Sequence, residues 1–71
     1  MAIKSRLTLG KNIKSFRKLQ GITQEKLAEM TGIDYKYLQR IEGKKPPAVR
    51  IDTIDKLAEA LKVKPAELLD F

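Results

Sequence analysis

The sequence of 71 residues contains no cysteine, no histidine and no tryptophan. Without cysteine there are no disulfides and no thiol nucleophiles, and without histidine the commonest general base and zinc ligand are missing. The acids that share helix faces, Glu25 with Glu29 and Asp55 with Glu59, indicate solvated surface. We therefore expect a non-enzyme with no catalytic residues, no metal, no cofactor and no small-molecule ligand.

Long hydrophobic runs are also missing. No segment approaches the ~18 apolar residues that span a bilayer, and no apolar run follows the basic N-terminus. A cytoplasmic protein without a membrane partner is expected. The length predicts one domain over residues 1–71, with a flexible basic N-terminus at about 1–7.

Acidic residues are absent from residues 1–20, which carry six Lys and Arg side chains. Residues 35–50 carry a net charge of +4, and the rest of the chain is acidic, which leaves +6 in total. If folding brings the two basic blocks to one face, they form a polyanion-binding surface. The alternative is a solvated basic surface that serves solubility.

Hydrophobic residues recur at helical spacings in five short segments, and no alternating run is long enough for a strand. The first helix is predicted to begin at Thr8 or Leu9, with an inward stripe of Leu9, Ile13, Phe16 and Leu19. The second is predicted to follow a Thr23 cap and to end at Gly32. Its inward residues are Leu27, Ala28 and Met30.

The third helix is predicted over residues 35–42 with Asp34 as its N-cap. Leu38 and Ile41 face inward, and Gly43 stands where a left-handed residue ends a helix. A proline pair then forces a loop.

Two more helices complete the all-α prediction. Asp52 is predicted to cap the fourth helix, and Pro65 to stand at the first position of the fifth. The fold class expected is therefore all-α, with five short helices.

A set of five positions indicates a helix-turn-helix at helices 2 and 3. Ala28 is small where the second helix approaches the third, and Gly32 permits a positive φ at the turn. Leu38 and Ile41 hold the third helix against the first two. The full set, spaced by four, four, six and three, is Gln24, Ala28, Gly32, Leu38 and Ile41.

From about Leu9 to Leu69 the chain resembles the phage-repressor and Cro-type helix-turn-helix regulators, also called the xenobiotic-response-element family. "FRKLQGITQEKLAEMTGI" and "YLQRIEGKK" are similar to the family pattern in its first three helices, and "TIDKLAEALKVKPAELL" resembles its last two. Two departures are the adjacency of Glu42 and Gly43, and Asp34 in place of Ser or Thr.

Rotation of the third helix by about 100° per residue, with its apolar residues inward, places Lys36, Gln39 and Arg40 outward. Together with Tyr35 they are the predicted base-reading residues, since a short helix of this kind fits the major groove. Tyr37 has two interpretations. Either its hydroxyl contacts the DNA backbone, or its ring extends the core and the hydroxyl reaches water.

The resemblance implies further roles. Gln24, helped by Thr23, hydrogen-bonds a DNA phosphate at the start of the second helix. Lys44 and Lys45 are added as DNA-backbone contacts. Arg17 pairs with Glu42, a structural role that ties the first helix to the third.

The resulting hypothesis is a sequence-specific double-stranded DNA-binding protein and transcriptional regulator, expected to be a repressor. Because one helix reads only about four or five base pairs, a homodimer on a palindromic operator is expected. Its interface is predicted on the fourth and fifth helices, including Leu69 and Phe71. The alternative is an antitoxin-type or protein-interaction module whose main partner is a toxin-like protein.

Overall fold

Five helices make up the fold in a computed structural model that describes residues 3–70, the side chain of Ile3 excepted. No strand occurs in that range, so the all-α prediction is confirmed. The helices are α1 (Ile3–Leu19), α2 (Gln24–Thr31), α3 (Tyr35–Ile41), α4 (Ile51–Leu61) and α5 (Pro65–Leu68).

The core draws side chains from all five helices. α2 packs on α3 and α4, while α1 packs on α3, α4 and α5. Burying each large aliphatic side chain contributes about 1.5–3 kcal/mol, so this cluster is the main source of stability. The fully buried large residues are Leu9, Ile13, Leu27, Leu38, Ile41, Ile54, Leu57, Leu61 and Leu68.

α1 begins earlier than predicted. Residues 3–7, which were expected to belong to a flexible N-terminus, are helical, and residues 1 and 2 lie outside the described range. No glycine or proline interrupts residues 3–9, so nothing stops the helix there. Thr8 does not begin the helix; its Oγ1 donates to the Lys4 carbonyl oxygen at 3.0 Å, one turn back.

Gly10 allows α1 to cross close to the end of α3. A Cβ at this position would overlap the carbonyl oxygen of Ile41 and lie 3.2 Å from its carbonyl carbon. Any larger residue would therefore push the two helices apart.

Two residues predicted to face inward do not. Leu19 is 83% exposed, because the buried line of α1 runs from Leu9 and Ile13 to Arg17 at intervals of four residues. Met30 is 45% exposed. α2 turns only Leu27 and Ala28 toward the core, so Met30 is left at the border of an open groove between α2 and α4.

Local capping predictions around the helix-turn-helix are confirmed. The Thr23 hydroxyl oxygen accepts from the Lys26 amide at 3.0 Å, and the Asp34 carboxylate accepts from the Tyr37 amide at 3.2 Å. Gly32 adopts φ 74°, the left-handed conformation that the turn requires.

Two other capping predictions are wrong. The C-cap of α3 is Glu42, which lies in the right-handed region at φ −85°, and Gly43 is not among the residues with positive φ. Gly43 instead lies close to the backbone oxygens of the last turn of α3. α4 begins one residue before Asp52, which therefore lies in the first turn, where a carboxylate is stabilised by the helix dipole. The N-cap position belongs to Arg50, which makes no side-chain cap bond.

The predicted loop between α3 and α4 is present and is anchored to the core. Val49 and Pro46 are buried. The Tyr37 hydroxyl donates to the Ala48 carbonyl oxygen at 3.2 Å, which fastens the loop to α3.

The C-terminal segment folds back onto α1. Pro65 opens α5 as predicted. Asn12 Nδ2 donates to the carbonyl oxygens of Leu68 and Asp70 at 3.0 and 3.1 Å. Leu69 is partly buried against the core, and Phe71 lies outside the described residues.

Candidate nucleic-acid interface

α3 presents a polar, cationic side to solvent. Lys36, Gln39 and Arg40 are exposed, whereas Leu38 and Ile41 on the opposite side are fully buried. The periodicity of a seven-residue helix produces this division, because two apolar positions three apart fix which side faces inward.

The two tyrosines border this exposed side. Tyr35 is 37% exposed and lies beside an open depression at the α2–α3 turn, which is also lined by Glu25, Glu29 and Asp34. Tyr37 is half-buried and packs against the core. The position of the Tyr37 ring agrees with the interpretation in which the ring extends the core. The Tyr37 hydroxyl, however, donates to the loop, a bond that neither interpretation included.

The carboxylate of Glu42 pairs with Arg17, as the resemblance implies. Arg17 Nε donates to Glu42 Oε2 at 3.0 Å, and Nη2 donates to Oε1 at 2.9 Å. The two side chains are only 9% and 2% exposed. Arg17 Nη1 also donates to the Ile22 carbonyl oxygen at 2.8 Å, so the guanidinium joins α1, the α1–α2 turn and the end of α3.

Gln24, expected at a phosphate, is attached to the same carboxylate. Its Nε2 donates to Glu42 Oε1 at 3.1 Å. Gln24 and Glu42 were expected to have separate roles, and this bond was not predicted because the two residues lie 18 positions apart. Nothing in the local pattern of either segment indicates that they meet.

The other residues that were expected to contact the DNA backbone are exposed. Thr23 lies at the N-terminus of α2, and its hydroxyl proton can still be donated because the cap bond uses the oxygen as acceptor. Lys44 and Lys45 follow α3 in the loop.

Few of the cations are neutralised by ion pairs. Across residues 3–70 the ion pairs are Arg17–Glu42, Lys26–Glu29 and Arg50–Asp52. Within this range Lys36 and Arg40 therefore have no carboxylate partner. α1 adds an exposed stripe on the side opposite its buried residues, formed by Lys4, Lys11, Lys14 and Lys18.

Comparison with known families identifies this architecture. The model of the Cro/C1-type HTH DNA-binding domain matches residues 12–71, which include all of α2 to α5. The chain belongs to the Cro/C1-type helix-turn-helix family. The resemblance drawn from the sequence is thereby confirmed.

Individual relatives of this Cro/C1-type domain agree in sequence and in structure. Control protein C.SmaI from Serratia marcescens is 34% identical over 61 residues, which cover 86% of this chain and 71% of the relative. The restriction-modification controller protein C.AhdI from Aeromonas hydrophila superposes with a TM-score of 0.85 at 32% identity, over 92% of this chain and 97% of C.AhdI.

A third relative was solved with nucleic acid. SinR, the master regulator for biofilm formation, in complex with DNA, superposes with a TM-score of 0.83 at 34% identity. The match covers 87% of this chain and 98% of SinR. These relatives are regulators and controller proteins, and they give no support to the toxin-like partner of the alternative hypothesis.

None of the helices that the structure describes combines the length and the apolar character needed to cross a membrane.

Proposed function

We propose that this Cro/C1-type domain binds double-stranded DNA sequence-specifically and regulates transcription as a repressor, with α3 in the major groove. The observation that supports this most is the exposed cationic side of α3, held in place by fully buried residues on its other side. Seven residues make a helix of ~10.5 Å, which fits a groove ~12 Å wide.

In this proposal the α3 side chains read bases. Lys36 and Arg40, one helical turn apart and without ion-pair partners in the described range, donate to the O6 and N7 acceptors of guanine. Gln39 suits adenine, whose N6 and N7 present one donor and one acceptor. Tyr35, at the edge of the helix, packs its ring on a thymine methyl or donates to a phosphate.

Backbone contacts flank the reading helix. Thr23 and Gln24 lie at the N-terminus of α2, whose first N–H groups and positive dipole end favour a phosphate. Lys44 and Lys45 extend this contact beyond α3. Tyr37 supports the contact indirectly, because its hydroxyl proton is donated to Ala48 and thereby holds the loop that carries the two lysines.

Two copies on a palindrome supply the selectivity that one reading helix lacks. We place the dimer surface on α4 and α5, including Leu69, with half-sites ~34 Å apart. Ile51 at the start of α4 is 67% exposed and adds apolar area to this surface. Sedimentation of the chain alone and on DNA tests this dimer. A free chain of 8.1 kDa at every protein concentration, with a single chain bound on DNA, would contradict it.

The experiment that tests the reading helix compares charge-removing substitutions on a panel of duplexes at several salt concentrations. Lys36→Gln and Arg40→Gln are expected to relax the preference at single base pairs by ~1–3 kcal/mol each. Lys44→Gln is expected to weaken all sequences alike and to reduce the log–log salt slope by ~0.9.

The matched control removes the same charge elsewhere. Lys11→Gln, on the outward side of α1, is expected to leave base preference unchanged. If Lys36→Gln and Arg40→Gln lowered affinity uniformly for all duplexes, as a loss of general charge would, α3 would not be the reader.

A further inference from the structure

We propose that Glu42 is a positioning residue for the DNA backbone: its buried carboxylate orients the Gln24 amide so that an N–H is directed to a phosphate. The inference deepens the proposed function and rests on it. Its basis is that one carboxylate bonds both Arg17 and Gln24.

The carboxylate selects which end of the Gln24 amide faces inward. An ionised carboxylate only accepts hydrogen bonds, whereas the two ends of an amide have nearly the same shape and opposite roles. The reverse orientation would place the Gln24 carbonyl oxygen against Glu42 Oε1. The donor end therefore points inward, as the 3.1 Å contact from Nε2 shows.

An inward Nε2 still has a proton to donate. The nitrogen carries two protons, and the bond to Glu42 uses one of them. Gln24 is the first residue of α2 and is half-exposed. We assign the second proton to the solvent side, where the first backbone N–H groups of that helix are. These are the groups to which a phosphate binds at a helix N-terminus.

Burial makes the orientation durable. The Glu42 side chain is 2% exposed, so water does not compete with Gln24 for Oε1. Arg17 fixes the carboxylate with two further bonds. Because Glu42 is also the C-cap residue of α3, its carboxylate joins the start of α2 to the end of the reading helix.

A double-mutant cycle tests the inference in the full-length chain. Arg17→Met/Glu42→Leu replaces the pair as a unit, keeps the net charge and removes the acceptor; Gln24→Ala removes the amide. Each is expected to lower affinity for a duplex about tenfold, the size of one hydrogen bond to a charged group. The triple variant is expected to bind no more weakly than Gln24→Ala.

Three outcomes would overturn the positioning role. The first is a triple variant whose loss of affinity equals the product of the losses in the pair variant and in Gln24→Ala. That result would show that the Arg17–Glu42 pair is merely structural. The second is wild-type affinity in the pair variant. The third is wild-type affinity in Gln24→Ala. In that case the Lys36→Gln variant separates the two proposals. If it still changed base preference, only this inference would fail, and if it did not, the proposed function would fail too.

A second measurement needs no variant. NMR of the free wild-type chain compares the side-chain amide protons of Gln24 with those of exposed Gln39, which is an internal reference. One Gln24 proton is expected to exchange with water at least several-fold more slowly than either Gln39 proton. Equal exchange for the two residues would overturn the inference whether or not the pair variant folds.

Discussion

Gly10→Ala is the substitution that tests most sharply how α1 and α3 are packed. In an ordinary helix interior this change stabilises by ~0.5–1 kcal/mol, because glycine loses more backbone entropy on folding than alanine. Here the added methyl would overlap the carbonyl oxygen of Ile41. A backbone oxygen cannot rotate away as a side chain can, so the helices must separate.

Overpacking of this kind costs ~1–3 kcal/mol. Because the clash is with a backbone oxygen, we expect the upper part of that range, about 2–3 kcal/mol, and hence a net loss of about 1–2 kcal/mol after a helix-propensity gain of about 1 kcal/mol. For a domain of this size that lowers Tm by roughly 5–15 °C. Thermal and urea unfolding followed by circular dichroism measure the effect. Ser15→Ala, at an exposed position of α1, is the control and is expected to be neutral or slightly stabilising. A Gly10→Ala variant as stable as the wild type would refute the close approach.

Three further predictions concern the stability of the free protein and are checked by the same unfolding assays. Arg17→Met alone leaves the Glu42 carboxylate buried without its charge partner and is expected to cost ~3–5 kcal/mol. The double variant Arg17→Met/Glu42→Leu is expected to recover most of that loss. Equal stability of the single and the double variant would contradict the pairing. Thr23→Ala removes the cap bond of α2 and is expected to cost ~0.5–2 kcal/mol, more than Thr23→Ser does. Ile13→Ala in the core is expected to cost ~2–5 kcal/mol. Leu19→Ala, at a position that is 83% exposed, is expected to change the stability by no more than ~0.5 kcal/mol. Comparable losses in the two variants would show that α1 is rotated from the orientation described.

The features that could be predicted from the sequence are local. Thr23 and Asp34 cap helices because each lies a few residues from the N–H group that it accepts from. Gly32 occupies the left-handed turn for a similar reason. The inward side of α3 follows from Leu38 and Ile41 alone, and with it the exposure of the side chains expected to read bases.

The features that were missed depend on contacts between distant segments. Gly10 was not recognised as a crossing point, since its neighbour is the carbonyl group of Ile41. Leu19 continues the apolar spacing of α1, but the core accepts Arg17 at that level because Glu42 neutralises it. The bond from Gln24 to Glu42 has the same origin, as it depends on how α2 and α3 are packed.

Above all, we propose that the outward side of α3 reads bases. Selection of bound sequences from a random duplex pool tests it most directly, when the wild type is compared with Arg40→Gln and with the Lys11→Gln control. We expect the wild type and the control to enrich the same inverted repeat, with half-sites about one helical turn apart. Arg40→Gln is expected to lose the preference at one position of each half-site and to retain the others. Enrichment of the same sequence by all three proteins, or of no sequence by the wild type, would contradict the account.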